Sequence, residues 1–518
     1  MKKVASRVGP GHARFLDGIA RAAHRVLPCW PYSVPTGGTA AGTGRPARAD
    51  SVRDQIHRDL LVSSKLFDTR FYAAQAGIEA EVERCVEHYL EHGAAAGHSP
   101  NRLFDGAAYL ALHPDVAAAN LDPFLHFVAH GISEGRRNIV PDSCLAQIIS
   151  MTPASLAERR VSDQARAIGW RPNSPSAWAG KTVALYASSL GNFFFRHIAD
   201  RIADGLRASG VGVYRLDQNS ARPSDAAVDF VVAPHEFFHL GGGSRWRDLQ
   251  EVARGVMLNT EQPATHWYFR ALSNAGPATT LVDLSPQSAV LLRDAGRWRS
   301  GYLPLGWLPP RLSPAGQRRL GLAPCRGLEA LGASECKWSH RGVDEWRERP
   351  VDVLFLGTLT PRRSTALGRL ASTLAKYRCF IHAPTNTGRP LTGGKTELGL
   401  DQSLLLALNA KVMLNIHRDE FPYFEWHRVM MMGIEQGALV LSEPCLPSPG
   451  VEPGRHFLTA TLDQMPEVLS RLLGSSDGEA FARQIDELNV HELQPRFDLR
   501  VELRALAFLH SIGFPQHA

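Results

Sequence analysis

Lys411-Val-Met-Leu-Asn-Ile-His-Arg-Asp-Glu-Phe-Pro-Tyr-Phe-Glu-Trp-His-Arg428, continued by Gln436-Gly-Ala-Leu-Val-Leu-Ser-Glu443, decides the fold. A short apolar run, Val412 to Leu414, stops at Asn415, Ile416 and His417. A loop with Pro422 follows, then a helix-length segment opened by Glu425. A second apolar run, Leu439 to Leu441, stops at Ser442 and Glu443. Two strand-length apolar runs joined by a helix predict parallel neighbours. Polar groups at both carboxyl ends predict a ligand at that edge, where open α/β sheets hold nucleotides and phosphates.

The same alternation recurs upstream. Val183 to Tyr186 reads as a strand, Ser188-Ser-Leu-Gly-Asn192 as a turn, and Phe193 to Ala208 as a helix stopped by Ser209-Gly210. Val211 to Leu216, Phe230 to Ala233 and Val256 to Leu258 read as further strands. A second alternating series starts at Val351-Asp-Val-Leu-Phe-Leu356. The fold class is therefore α/β, with two Rossmann-like halves at 180–308 and 351–475. Residues 309–350, with Pro309-Pro310 and many charges, read as a linker or insertion, and 476–518 as C-terminal helices. Ahead of the halves lie a tail and linker (1–50), a small all-α repeat (51–141) and a helical connector (142–179).

A chain of 518 residues suggests several folded units. Its formal charge of +6 is modest, and its lysines and arginines are spread out. That predicts weak attraction to anionic ligands and no nucleic-acid partner. No run reaches the ~18–20 apolar residues of a membrane span. Met1-Lys-Lys3 is not followed by an apolar segment, so no secretory signal is expected. The 7 cysteines form no close pair, which predicts reduced thiols and a cytoplasmic location. Ala13 to Val26 could form a short basic amphipathic helix, and Pro35 to Pro46 is flexible by composition. A disordered tail is the expectation; its alternative is a surface helix touching the inner face of a membrane.

The repeat is internal and offset by 37 to 38 positions. Leu66-Phe67-Asp68 with Phe71-Tyr72 matches Leu103-Phe104-Asp105 with Tyr109-Leu110, and His88-Tyr89 to Gly93 matches His126-Phe127 to Gly131. Such a period marks a helical unit whose copies bury each other's apolar faces. Each aspartate suits a helix N-cap, and each His-Gly is read as a helix end with glycine in a left-handed turn. The histidines are read as packing rather than metal ligands, since no metal-site spacing accompanies them. These copies resemble a repeat found in front of many bacterial polysaccharide glycosyltransferases. The second copy keeps that pattern's Pro114-Asp115-Val116 and Glu134-Gly135-Arg136; the first lacks both.

Several residues could carry chemistry. Gly357 ends a strand, and Thr360-Pro-Arg362-Arg363 opens a helix whose free amides, with the two arginines, suit a diphosphate. In the first half, Leu258-Asn-Thr-Glu261-Gln-Pro263 follows a strand and precedes a helix holding Trp267 and Tyr268. Glu261 is the candidate general base or acceptor-hydroxyl ligand; its alternative, shared with Thr260, is helix capping. Asn192, His197 and His235 are further cleft-facing candidates on this side. Asn192 and His235 are assigned to acceptor binding, and His197 to catalysis with Glu261.

Two Rossmann-like halves joined by a linker and closed by C-terminal helices resemble the GT-B glycosyltransferases. The 415–443 stretch resembles, more narrowly, the nucleotide-sugar half of the capsule and lipopolysaccharide (family 1-like) enzymes of that fold. Those show Leu-Asn-Ile-His, then Glu-x-x-Arg opening a helix, then a strand ending Ser-Glu. The resemblance implies that Glu443 holds the donor ribose, that Arg428 faces the diphosphate or braces Glu425, and that Asn415 and His417 line the sugar pocket. Glu435 and Glu443 are spaced like the paired glutamates of many retaining members; Glu435 sits late in its helix, so Glu443 is preferred. The implied function is transfer of a sugar from a nucleotide-sugar co-substrate to a polysaccharide or lipid-linked glycan acceptor. No cofactor and no obligatory metal are expected: the chain has no Asp-x-Asp pair, so arginines and helix ends would stabilise the leaving diphosphate.

Other readings stand beside this one. A sugar- or nucleotide-binding module without transfer activity fits the same edge, with the repeat as an assembly surface. A sugar-nucleotide epimerase is disfavoured because no Gly-x-Gly-x-x-Gly opens either half. Gly474-Ser-Ser-Asp-Gly478 has the nucleophile-elbow spacing but follows a helical segment, where that elbow needs a strand.

Overall fold

The computed structural model describes residues 47–514 apart from 139, 248, 309–345, 386–397 and 425. Glu425, the tail with its basic helix and linker, and the 309–345 part of the expected insertion therefore lie outside the described residues.

The first half is a 6-stranded sheet in the order β2-β1-β3-β4-β5-β6. Its strands are β1 (Thr182–Tyr186), β2 (Gly212–Leu216), β3 (Ala226–Val232), β4 (Val256–Asn259), β5 (Thr280–Asp283) and β6 (Arg299–Tyr302). The second half is a 5-stranded sheet in the order β11-β10-β9-β7-β8. It contains β7 (Val351–Leu356), β8 (Cys379–His382), β9 (Ala410–Asn415), β10 (Leu439–Ser442) and β11 (Leu458–Thr459). Every pairing is parallel. Parallel sheets are covered on both faces, which is why β1, β4, β7 and β9 are near-continuous apolar runs. The α/β class with two Rossmann-like halves is thus present.

Strand order locates the working edge. In the first sheet the chain reverses direction between β1 and β3, and in the second between β7 and β9. Adjacent loops diverge at such a switch point and leave a crevice beyond the strand ends. The loops after β1, β3, β7 and β9 carry Asn192, His235, Gly357 and His417. Strands β5, β6, β8 and β11 escaped the sequence reading because they are short. Arg299-Ser-Gly-Tyr302 has no apolar run at all and is a strand only because it pairs with β5.

The last helix, Leu499–Ile512, leaves the second half and packs on the Phe193–Arg207 helix of the first and the Val161–Ala167 helix of the connector. Gly205 permits the approach: a Cβ there would meet Leu503 Cδ1 at 2.6 Å. Arg160 Nε donates to the fully buried Glu502 at 2.7 Å, and Ser162 Oγ donates to it at 2.9 Å. Trp307 and Asp498 form a backbone bridge beside this crossing. Two chain crossings therefore tie the halves together near the floor of the cleft. Gly474 ends a helix and Ser475 caps the next, so Gly474-Ser-Ser-Asp-Gly478 is a helix-to-helix turn.

The repeat folds as two similar helical units. Asp68 accepts from Phe71 N at 3.1 Å and Asp105 from Ala108 N at 2.9 Å, as N-caps. The glycine expectation is corrected. Gly93 and Gly131 lie inside π-helical turns, and Gly131 has ordinary helical φ. They are glycines because the Tyr72 and Tyr109 hydroxyls stand where a Cβ would go. Those hydroxyls bond His88 Nδ1 at 2.7 Å and His126 Nδ1 at 3.0 Å. The left-handed turns fall at Gly97 and Gly135 instead. Arg136 pairs with Asp115 at 2.7 Å. The two motifs that the first copy lacks are thus partners in the second, so losing one removes the reason for the other. Phe127 packs edge-on against Phe269 of the first half, with ring centres 5.0 Å apart.

Candidate functional site

The carboxyl edges of the two sheets face each other across a cleft of about 300 Å³. From the first half it is lined by Phe193, Phe194, His197, Arg201, Thr260 and Glu261. From the second come Gly357, Thr358, Arg363, Arg418, Arg428 and Glu435. Leu305, next to the crossing, closes the floor.

Buried acids and a second imidazole stand behind the first-half wall of Glu261 and His197. β3 is followed by Ala233, whose φ of 53° is left-handed, and Pro234 opens a short helix straight after it. A non-glycine residue held there costs about 1 kcal/mol or more, and such strain gathers where side chains must be aimed. It aims His235 and Glu236. His235 Nε2 lies 3.4 Å from Glu261 Oε1. Burial, then the Arg270 charge, pushes the His235 ring well below its usual value. The imidazole of this contact is therefore neutral. Glu236 accepts from Asn192 N at 2.8 Å and also from its side-chain amide. Gly191 has no Cβ because Glu236 fills that space. Burial raises the Glu236 carboxyl to about 7. At the end of β5, burial raises Asp283 to about 8, although Asn259 Nδ2 donates to it at 2.6 Å.

Glu261 and His197 line the cleft, and His235 backs Glu261. Asn192 is placed differently from its acceptor assignment: its amides hold Glu236. The capping alternative for Glu261 is removed, because the helix begins later, at His266, and Thr265 is its cap.

The second-half wall differs from expectation more. Arg362 was expected to meet a diphosphate; it forks onto Glu443 with both contacts at 2.8 Å and reaches Glu420 at 3.1 Å. Burial pushes the Glu443 carboxyl up, but the Arg362 hydrogen bonds, the His417 amide and the nearby charges together hold the group below its ordinary value. Glu443 also accepts from His417 N at 2.8 Å. It ties three strand-end loops together behind the cleft surface. Arg363 is 7% exposed and donates to the Ile416 carbonyl at 3.0 Å and the Thr358 carbonyl at 3.1 Å. Gly357 makes room for that guanidinium: a Cβ there would meet Arg363 NH1 at 2.8 Å. Asn415 donates to Ser442 Oγ at 3.0 Å, and His417 Nε2 lies 2.9 Å from the Pro444 carbonyl oxygen. Both are buried between strand ends rather than on the cleft wall. For Arg362, Arg363, His417 and Glu443, all bonded to loop backbone, the physical reason is the same. A switch point pulls loops apart, and the polar groups nearest the strands are needed to satisfy backbone left open there.

The arginines that reach across the cleft are others. Arg428 lies over the Phe194 ring at 3.8 Å, and Arg418 over Trp267 at 5.0 Å. Each such contact contributes ~0.5–2 kcal/mol, depending on exposure. In the opposite sense, Arg201 of the first half forks onto Glu435 with both contacts at 2.9 Å. Glu435, passed over for its late helical position, is therefore the glutamate of the spaced pair that reaches the cleft. Asp283, Arg201, Arg418 and Trp267 were also missed. Only Asp283 had a usable signal, a polar residue closing the run Thr280-Leu-Val.

Among the described residues, no three histidine, cysteine, aspartate or glutamate side chains gather as a metal-sized group. None of their helices is long and apolar enough to cross a membrane.

No family model and no curated protein matches the sequence. The fold is similar to that of HepE from Anabaena, solved in complex with UDP and glucose: TM-score 0.40, 11% identity, 64% of this chain against 99% of that one. It is similar to sucrose-phosphate synthase from Thermosynechococcus elongatus at TM-score 0.37 and 10% identity, over 64% of this chain and 98% of that one. An α1,3-fucosyltransferase with GDP-fucose aligns at TM-score 0.35 and 10% identity, over 70% and 99%. At scores this low, the site and not the likeness carries the functional reading.

Proposed function

We propose that the protein is a glycosyltransferase that moves a sugar from a nucleotide-sugar donor to a glycan or lipid-linked acceptor at the cytoplasmic face of a membrane. The observation that carries this is the asymmetry of the cleft. One wall offers a carboxylate backed by a neutral imidazole, Glu261 and His235. The other offers the cleft-lining arginines Arg418 and Arg428. A base facing an anion-binding wall is what sugar transfer requires. Glu261 would take the acceptor hydroxyl proton as its oxygen attacks the anomeric carbon. Arg428 and Arg418 would neutralise the departing nucleoside diphosphate without a metal, and closure of the halves would keep water out. Capsule or lipopolysaccharide synthesis is the setting that the 415–443 resemblance supports.

A second reading, a nucleotide-binding module without turnover, is favoured by one observation: both spaced glutamates are already held by arginines. A screen of UDP, GDP, ADP and CDP and their sugars for thermal stabilisation tests the first step, because a ligand raises the melting temperature by mass action. Stabilisation lost in Arg428→Ala supports the cleft assignment. Stabilisation that survives there unchanged places the nucleotide elsewhere, and stabilisation without sugar release on any acceptor favours the module.

A further inference from the structure

The two arginine–aromatic contacts across the cleft have a feature in common. Arg418 and Arg428 both belong to the second half and line the cleft. The rings they cover, Trp267 and Phe194, both belong to the first half, at the starts of the helices that follow β4 and β1. Both rings are only half-buried. They also lie close in the chain to the cleft residues His197 and Glu261. Phe194 lies one helical turn before His197, and Trp267 opens the helix immediately after the Glu261 loop.

We propose that Trp267 and Phe194 are the stacking platforms for pyranose rings of the acceptor glycan. In the ligand-free molecule they are capped by Arg418 and Arg428, and they are uncovered when the donor's phosphates draw those arginines away. The donor therefore binds before the acceptor. The inference rests on the glycosyltransferase reading above.

Three physical points support it. A pyranose presents a face of C–H groups with partial positive charge, and that face suits the electron-rich side of an aromatic ring, as a guanidinium does. The arginines thus occupy the positions a sugar would take. An arginine forked onto phosphate oxygens makes charge-assisted hydrogen bonds, which are stronger than a cation–π contact on a half-exposed ring. A diphosphate entering the cleft therefore competes for the arginines ahead of the rings. Lastly, Phe194 lines the same cleft as Glu261, and Trp267 lies under Arg418, which lines it too, so a sugar on these rings would share that cleft with the carboxylate. If the contacts serve only to hold the halves together, an anion in the cleft leaves the ring surroundings unchanged and no sugar follows it.

The test uses the full chain. Emission of the wild type minus that of Trp267→Phe isolates the Trp267 signal, which is followed as UDP, GDP, ADP or CDP is added. Saturation-transfer NMR with methyl glucosides, galactosides and mannosides, with and without the nucleotide that binds, then reads sugar contact. The expected result is a nucleotide-dependent shift of the Trp267 emission, with glycoside signals seen only when nucleotide is bound and lost in Trp267→Ala. Arg418→Gln should give glycoside signals without nucleotide, with thermal melting checking that its fold is kept. A nucleotide that stabilises the protein yet leaves Trp267 emission unchanged, or glycoside signals absent or indifferent to nucleotide, overturns the platforms and leaves the broader reading standing. No stabilisation by any nucleotide overturns both.

Discussion

The two walls of the cleft handle charge in opposite ways. On the first-half edge, acids are buried beside amides and a neutral imidazole, and burial moves Glu236 to about 7 and Asp283 to about 8. On the second-half edge, Glu443 is forked by Arg362 and held below its ordinary value. The first edge keeps groups that can exchange protons near neutral pH; the second keeps fixed charges that shape loops. An acid's environment, not its identity, assigns the role: desolvation without a cation makes a proton carrier, and desolvation with a forked arginine makes a brace.

Four experiments can break or sharpen this contrast. The largest effect is expected at Glu261. Glu261→Gln should lower sugar transfer, measured as nucleoside diphosphate release with acceptor present, by about 10²–10⁴-fold. Nucleotide-induced thermal stabilisation should stay as in the wild type. Equal loss of both would make Glu261 a structural residue and erase the distinction between the walls.

Next comes the brace. Arg362→Ala leaves a buried carboxylate without its cation, and denaturant unfolding should show a loss of roughly 1–3 kcal/mol, below the range for fully buried pairs because Arg362 is partly exposed. A loss under 0.5 kcal/mol would show that Glu443 is not held by this pair.

The third tests the opposite pH signs. Glu236 has a folded-state pKa above its unfolded value, so its stabilising contribution is complete below about pH 4.5 and is lost as pH rises through about 7. Glu236→Gln should therefore gain on the wild type between those limits, by up to roughly 3 kcal/mol. Glu443, with its folded pKa depressed, contributes above the unfolded carboxylate value and loses that contribution as pH falls. Glu443→Gln should accordingly converge on the wild type in acid. Parallel pH profiles for the two variants would end the contrast.

The smallest effect is a control. Arg137 of the repeat reaches Asp419 beside the cleft at 3.6 Å, with more than half of its side chain exposed. Arg137→Ala should change stability by less than ~0.5 kcal/mol. A larger change would make the repeat part of the wall rather than its neighbour.

Legibility in the sequence followed range of interaction. The long apolar strands, the Phe193–Arg207 helix, the repeat and its aspartate caps could all be read because each depends on residues a few positions apart. Glu261 and His197 could be read as cleft residues because they follow strands at a parallel-sheet edge. The raised carboxyl of Glu236 could not be read, because its environment comes from Asn192, 44 positions away. The Arg201–Glu435 fork spans 234 positions, and nothing near either residue announces the other. Arg362 and Arg363 look like phosphate ligands in sequence because a basic pair at a helix start has the same local pattern whether its donors meet a ligand or the protein's own carbonyls.

The chain alone therefore determined the α/β class, the two halves, the edge at which a ligand would sit and the repeat period. These follow from hydrophobic periodicity and from backbone conformations that single residues prefer. Tertiary structure decided which acids stay protonatable, which arginines brace loops and which reach across the cleft. A charge takes its free energy from what stands within a few ångströms of it, and across two packed sheets those neighbours come from anywhere in the sequence.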